Sequence, residues 1–224
     1  MIIPSVAVSN WKQIEALAEL SSTVFFALGL HPVWQDEHQD DVIAMLDDAL
    51  SEKHSQCVAV GECGLDFAME GADRDKQVDL LEKQLALSIK YDLPVILHCR
   101  KAHNELLQIL NKFPESRGVL HAFSGSYELG MNYIKRGFFL GIGGTITYPR
   151  ANKTRHAVSK FSLEHLLLET DSPDMPVNGC QGQANSPDKI VDICRELSSL
   201  KHVEPDEIAC KTFLNVQNLF ELNT

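Results

Sequence analysis

Short apolar runs alternate along this chain with longer stretches in which apolar residues recur every three to four positions. The runs predict strands at Ile2–Val8, Val24–Leu30, Cys57–Gly61, Pro94–Leu97, Gly118–Leu120, Phe138–Ile142 and Leu166–Glu169. The periodic stretches predict helices. The first follows Ile2–Val8, with Asn10 as its cap and Trp11, Ile14, Leu17, Ala18 and Leu20 apolar. Others are Asp40–Lys53, Asp73–Lys90 with Val78, Leu81, Leu85 and Ile89 on its apolar face, and Ala102–Phe113. Tyr127–Arg136 is stopped by Gly137, and a short helix covers Arg155–Lys160. Pro187–Leu200 and Glu204–Leu222 close the chain. Strands alternating with helices of this length predict parallel βαβ units and an α/β fold.

The organising stretch is Leu166-Leu167-Leu168, followed at once by Glu169-Thr170-Asp171-Ser172-Pro173. Three leucines in a row read as a strand covered on both faces. Asp171 then falls just past its C-terminal end, where the active face of a (β/α)8 barrel is built. Alternatively, Asp171 caps or starts a turn before Pro173. Seven strands are predicted where a closed barrel has eight, so the expected eighth lies before Ile2. An open doubly wound sheet ranks second, because no glycine-rich dinucleotide fingerprint follows the first strand.

Composition narrows the chemistry. The 224 residues form one expected domain, 1–224. Acidic residues number 31 against 20 basic ones, for a net charge of −11, which argues against a non-specific nucleic-acid binder. A phosphate-ester substrate stays possible where cations supply local positive charge. The six cysteines form no CxxC pair, and Cys57, Cys99, Cys194 and Cys210 read as buried thiols. No signal peptide or membrane span is evident, so a cytoplasmic protein is expected.

Four predicted strands end in a metal-competent side chain: Glu62, His98, His121 and Asp171. Their spacings of 36, 23 and 50 residues are too large for a local zinc motif, but a barrel gathers such ends on one face. Two carboxylates and two imidazoles suit Zn²⁺, Mn²⁺ or Mg²⁺. Taken singly, a histidine after a strand is as well explained by a loop hydrogen bond, and Glu62 by an arginine partner. Cys99 is expected to alternate away from His98 as inert packing.

Several longer motifs then carry a resemblance. Val60-Gly61-Glu62-Cys63-Gly64-Leu65-Asp66, Leu97-His98-Cys99-Arg100, His121-Ala122-Phe123-Ser124-Gly125 and Glu169-Thr170-Asp171-Ser172-Pro173 resemble, in order, the motifs of the TatD family of metal-dependent deoxyribonuclease-like hydrolases. Gly29-Leu30-His31-Pro32 and Asn185-Ser186-Pro187 also fit. Gly143–Pro149 and Asp174-Met175-Pro176 resemble its YjjV-type subgroup. The resemblance covers essentially the whole chain. It implies a TIM barrel with one or two divalent metals: Glu62 bridging, His98 and His121 on one metal, and Asp171 on the other and taking a proton from the attacking water.

The family's opening H-x-H motif is not present, and Ile2–Val8 resembles the family's second strand. Either a start about 30–40 residues upstream, the length of one strand–helix unit, or a shortened protein is expected.

The resemblance implies hydrolysis of DNA phosphodiesters. Rival readings are a hydrolase of the same architecture acting on an amide, lactone or phosphate ester, and a shortened, non-catalytic metal-binding barrel. DNA or another phosphate ester is the expected partner, with no membrane and no obligate protein partner. Arg100 is expected either to bind a phosphate oxygen or to pair with Glu169 or Asp66. His31 is expected to line the substrate pocket or to make a loop hydrogen bond. Asn185 is expected to order its loop, and Lys153 and Arg155 to be surface residues within reach of a nucleic-acid backbone.

Overall fold

The computed structural model describes residues 1–222, which fall into two compact units. The first holds Met1–Val119 together with residues 220–222. Its elements are β1 (Ile2–Pro4), α1 (Val8–Glu19), β2 (Phe25–Leu28), a 3-10 segment (Pro32–Glu37), α2 (Val42–Ser51), β3 (Cys57–Asp66), α3 (Arg74–Lys90), β4 (Val95–Arg100), α4 (His103–Lys112) and the start of β5 (Gly118–Leu120).

The strands β1 to β4 are parallel neighbours in sequence order, with Ile3 opposite Phe26, Leu28 opposite Val60 and Gly64 opposite His98. Nine consecutive residues of β3, Val58 to Asp66, are buried. This is the signature of a strand covered on both faces.

Three expectations change here. The first strand stops at Pro4 and helix α1 begins at Val8. Ala7 occupies the N-cap. Asn10 lies three residues into the helix, and its Oδ1 accepts the N–H groups of Val6 and Ala7 at 3.3 and 3.4 Å. Most consequentially, β3 and β4 run past Gly61 and Leu97, so Glu62 and His98 lie inside strands rather than beyond them. A register shift between Val60 and Cys63 lets β3 continue alongside β4 as far as Asp66 opposite Arg100.

Helix α3 is capped by Asp73, whose Oδ1 accepts the Lys76 N–H at 3.0 Å. Its buried stripe runs through Gln77, Leu81, Gln84, Leu85 and Ser88, while Val78 and Ile89 are only half-buried. The two glutamines clamp backbone. Gln84 accepts the Leu30 N–H at 2.8 Å and donates to the Leu30 carbonyl at 3.1 Å. Gln77 does the same for Asp66, at 2.8 and 3.1 Å.

The second unit, Leu120–Leu219, contains α5 (Tyr127–Ile134), β6 (Phe139–Ile142), a 3-10 turn (Gly144–Thr147), α6 (Asn152–Lys160), β7 (Leu166–Leu168), α7 (Ile190–Lys201) and most of α8 (Pro205–Phe220). Strands β6 and β7 pair in parallel, Leu140 opposite Leu166 and Ile142 opposite Leu168. Tyr133, Phe138, Phe161, Ile193, Leu197 and Ile208 fill its core. Asn215 of α8 donates to the carbonyls of Leu163 and Leu166 at 2.7 and 2.9 Å and so fixes the start of β7. Arg155 is bound to the Ile146 carbonyl and to Glu196, which withdraws it from the surface role considered for it.

The thiols also differ from expectation. Cys63 is the buried one, Cys57, Cys99 and Cys194 are half-buried, and Cys210 is exposed because it faces outward on α8. No helix among the described residues is long and apolar enough to cross a membrane.

Candidate metal-binding site

Each unit gathers its own polar cluster at the C-terminal ends of its strands. In the first, Glu62 of β3 is buried to 8 % exposure, far from the solvent a carboxylate prefers. Two imidazoles converge on its Oε1: Nε2 of His31 at 3.1 Å and Nδ1 of His98 at 3.1 Å. The candidate donor atoms of these three residues all lie within 4.8 Å of one another.

The histidines are not equivalent. Nδ1 of His31 accepts the backbone N–H of Val33 at 3.1 Å. A neutral imidazole whose Nδ1 accepts must carry its proton on Nε2. His31 is thus a hydrogen-bond donor to Glu62, and its Nε2 has no lone pair to offer a cation. His38 supports it from behind, with Nε2 3.1 Å from the His31 carbonyl. Burial lowers the His38 pKa below the ordinary histidine value and favours the neutral ring.

His98 is held at both ends. Its Nδ1 faces Glu62, and its Nε2 lies 3.2 Å from Oδ2 of Asp66. Gly64 stands opposite His98 in the strand register. A Cβ at Gly64 would lie 2.0 Å from the His98 carbonyl oxygen, so only glycine allows this approach. Arg100 closes the group on its outer side, with a guanidinium nitrogen 3.9 Å from Asp66 and a side chain two-thirds exposed. Of the alternatives considered for Arg100, the structure shows the Asp66 neighbour.

In the second unit, His121 follows β5 directly, and Asp171 follows β7 after Glu169 and Thr170. Nδ1 of His121 is 3.7 Å from Oε1 of Glu169 and 4.0 Å from Oδ1 of Asp171. Glu169 is anchored by the Ala122 N–H at 2.6 Å. It lies flat over Gly141, where an added Cβ would stand 2.1 Å from its Oε2.

Asp171 has a left-handed backbone at φ 59°, a conformation that aspartate tolerates better than most residues. Asn185 holds the surrounding loop: its amide donates to the carbonyls of Thr170 at 2.7 Å, Asp174 at 2.9 Å and Met175 at 3.3 Å. This is the loop-ordering role the sequence suggested.

The donor set fits a hard or borderline divalent cation. A buried carboxylate facing an imidazole nitrogen in one cluster, and an imidazole beside a carboxylate in the other, are oxygen and nitrogen ligands with no thiolate among them. The sequence reading missed Asp66 as a site residue, although Asp66 lies in the same motif as Glu62. It also missed Gln77, because a glutamine on a buried helix face carries no apolar signal. An apolar groove of about 500 Å³ in the second unit, lined by Ile190, Cys194, Ala209 and Phe213 among others, contains none of the predicted site residues.

The family described as TatD related DNase matches residues 1–221. The uncharacterized metal-dependent hydrolase YjjV of Escherichia coli K12 is 42 % identical over 223 residues, which span 99 % of this chain and 86 % of that protein. Its crystal structure superposes with a TM-score of 0.95 over 99 % of this chain. The 3'-5' ssDNA/RNA exonuclease TatD of Erwinia tasmaniensis is 34 % identical over 201 residues, 87 % of this chain and 77 % of that protein. The fold class is therefore α/β of the TIM-barrel type.

Proposed function

Because the chain belongs to the TatD-related DNase family of metal-dependent hydrolases, we propose that it hydrolyses phosphodiester bonds in DNA, from the 3' end of single strands. We assign Glu62 and His98 in the first unit, and His121 and Asp171 in the second, as metal ligands. The observation that carries this reading is the buried carboxylate of Glu62 with Nδ1 of His98 3.1 Å from its Oε1. The 3'-5' exonuclease name of the TatD relatives supports the substrate and the direction.

The chemistry a bound divalent cation supplies is Lewis-acid stabilisation of phosphoryl oxygens and a water acidic enough to give hydroxide near neutral pH. The chain's own groups do the rest. His31 holds Glu62 in place through its Nε2–H. Asp171, fixed by the loop that Asn185 ties, accepts a proton from the attacking water at a carboxylate oxygen. Arg100 projects from the end of β4 and, being mostly exposed, is available to grip a phosphate oxygen with charge-assisted hydrogen bonds. A chain of net charge −11 has little general attraction for a polyanion, so binding depends on these local contacts.

The test is a chelator-stripped protein reloaded separately with Mg²⁺, Mn²⁺ or Zn²⁺. It is assayed on 5'-labelled single-stranded DNA beside a lactone, an amide and a phosphate monoester. The expected result is a metal-dependent ladder shortening from the 3' end, abolished in folded His121→Ala and Asp171→Ala variants. Turnover of the lactone or amide with DNA left intact would overturn the nuclease reading. Full activity in both variants would overturn the residue assignment.

A further inference from the structure

The basic residues of this acidic chain are unevenly placed. Between Leu120 and Leu163 six lysines and arginines stand against a single acid, Glu128, although the chain as a whole has a net charge of −11. Arg155 is committed to the Ile146 carbonyl and Glu196, and Arg136 donates to the Asn132 carbonyl at 2.7 Å. Lys135 lies at the C-cap of α5. Arg150, Lys153 and Lys160 remain, all exposed, and none has a carboxylate within ion-pair distance among the described residues. Lys153, His156 and Lys160 recur at spacings of three and four residues, so they share one exposed face of α6. Arg150 precedes the helix and lies over the Tyr148 ring, 5.1 Å from its centre. Tyr148 is held in turn by its hydroxyl, which donates to the Pro176 carbonyl at 2.6 Å. At the other end, the Lys160 ammonium lies 6.0 Å from the centre of the Tyr127 ring, which stacks on Phe161.

The start of this row adjoins the His121 cluster. Thr154, next to Lys153, is buried; its hydroxyl accepts the Gly125 N–H at 3.2 Å and lies 3.2 Å from the Ser124 hydroxyl. Ser124 and Gly125 belong to the segment that leaves β5 through His121. We propose that Arg150, Lys153, His156 and Lys160 form a track for the backbone of single-stranded DNA, leading away from the His121–Asp171 cluster along α6. The proposal rests on the nuclease reading and adds where the strand lies: the 3' end enters the cluster and the upstream phosphates follow the helix. Charge complementarity identifies the occupant. Cations in a row, without carboxylate partners of their own, neutralise phosphates and release the counterions condensed on them. Lys153 and Lys160 stand about 10 Å apart along the helix axis, a span that covers more than one phosphate of a strand. No large apolar side chain between Leu120 and Leu163 is exposed, so this face offers nothing for an apolar partner to cover.

Glu128 bounds the track on the side of α5. It is exposed on the first turn of that helix. Hydrogen bonds from its own N–H and the Ser126 hydroxyl hold its carboxyl below the ordinary carboxylate value, and Lys160 and Lys153 add to the effect. Its negative charge therefore stands at neutral pH and opposes a phosphate lying on those lysines. Neutralising it should strengthen DNA binding, whereas a face that is merely solvated would show no such gain.

The probe is a 5'-fluorescein oligothymidylate of about 12 nucleotides with phosphorothioate linkages, which keep the charge and resist hydrolysis. Fluorescence anisotropy during titration with the full chain in Mg²⁺ reads binding, and circular dichroism reads folding. Lys153→Ala/Lys160→Ala should weaken binding at least about 10-fold at about 50 mM salt and flatten the plot of log affinity against log salt by about 1.4, the slope of two single-strand contacts. Lys153→Arg/Lys160→Arg should bind like the wild type, Lys135→Ala should stay within twofold of it, and Glu128→Gln should bind more tightly. A folded double alanine variant within twofold of wild type with an unchanged salt slope overturns the track, as does an equal loss in Lys135→Ala. Tighter binding of an RNA of the same length overturns the choice of DNA as its occupant. A wild type that binds through these lysines yet leaves unmodified single-stranded DNA intact with Mg²⁺, Mn²⁺ and Zn²⁺ overturns the nuclease reading instead and leaves the track standing.

Discussion

Oε1 of Glu62 lies 3.1 Å from Nε2 of His31, and the Val33 N–H on the other ring nitrogen makes that histidine the donor. A cluster of two imidazoles and a carboxylate would ordinarily be read as three ligands. Here one of the three is committed to holding another. A side chain that keeps a donor near that place should therefore preserve most of the metal affinity.

His31→Asn is expected to bind Mn²⁺ or Zn²⁺ within about threefold of wild type, whereas removal of a true ligand costs more than the roughly 10–100-fold seen for outer partners. Titration of the apo protein followed by calorimetry checks it. Loss of binding in His31→Asn, in a protein that remains folded, would make His31 a ligand after all.

Asn185→Ala removes the amide that ties the carbonyls of Thr170 and Asp174. Three part-buried acceptors, the carbonyls of Thr170, Asp174 and Met175, lose a partner, which costs about 1–3 kcal/mol for each one left unsatisfied. Urea denaturation should show that loss. Steady-state kinetics should show a fall in kcat with little change in KM, because the loop positions Asp171 rather than the DNA. A change confined to KM would place Asn185 against substrate.

Trp34 lies in the 3-10 segment that follows His31 and is 42 % exposed. If single-stranded DNA is the substrate, this ring offers a stacking platform. Stacking on an aromatic side chain contributes about 1–3 kcal/mol per base. Trp34→Ala should then raise KM for an oligonucleotide by about 5-fold or more, and leave bis(p-nitrophenyl) phosphate turnover unchanged. Equal effects on both substrates would remove the stacking role.

The thiols should react in an order set by exposure and ionisation. Burial pushes Cys57 up to about 12 and raises Cys63 further above the ordinary thiol value. A folded-state pKa above the working pH keeps a thiol protonated, and only the thiolate attacks a disulfide reagent. Cys210, exposed on α8, should be modified first, and Cys57 and Cys63 only on unfolding. Mass spectrometry of peptides after timed labelling checks the order. Early labelling of Cys63 would contradict its burial.

Much of the architecture was legible because its signals are local. The three-residue strand Gly118–Leu120 and the run Leu166–Leu168 end where their composition changes, and His121 and Asp171 follow them as expected. The ends of β3 and β4 were not legible. The expected strand stopped at Gly61, before Cys63-Gly64-Leu65-Asp66, yet that segment pairs with Leu97-His98-Cys99-Arg100. Strand pairing supplied by a segment more than thirty residues away overrode the local preference. The α3 stripe was legible only in part, at Leu81 and Leu85: Gln77 and Gln84 are buried because distant backbone needs partners, not because they are apolar.

The sequence by itself determined the alternation of strand and helix, the oxygen and nitrogen character of the candidate ligands, and the motifs that place the chain in its family. Those are properties of periodicity and side-chain chemistry, readable one segment at a time. Tertiary structure alone decided that Glu62 and His98 lie within paired strands, that Val33 fixes the proton on His31, and that Asp66 rather than solvent meets Nε2 of His98. Each of those depends on which donor meets which acceptor. In a buried cluster that is settled by hydrogen-bond geometry between residues brought together only by folding.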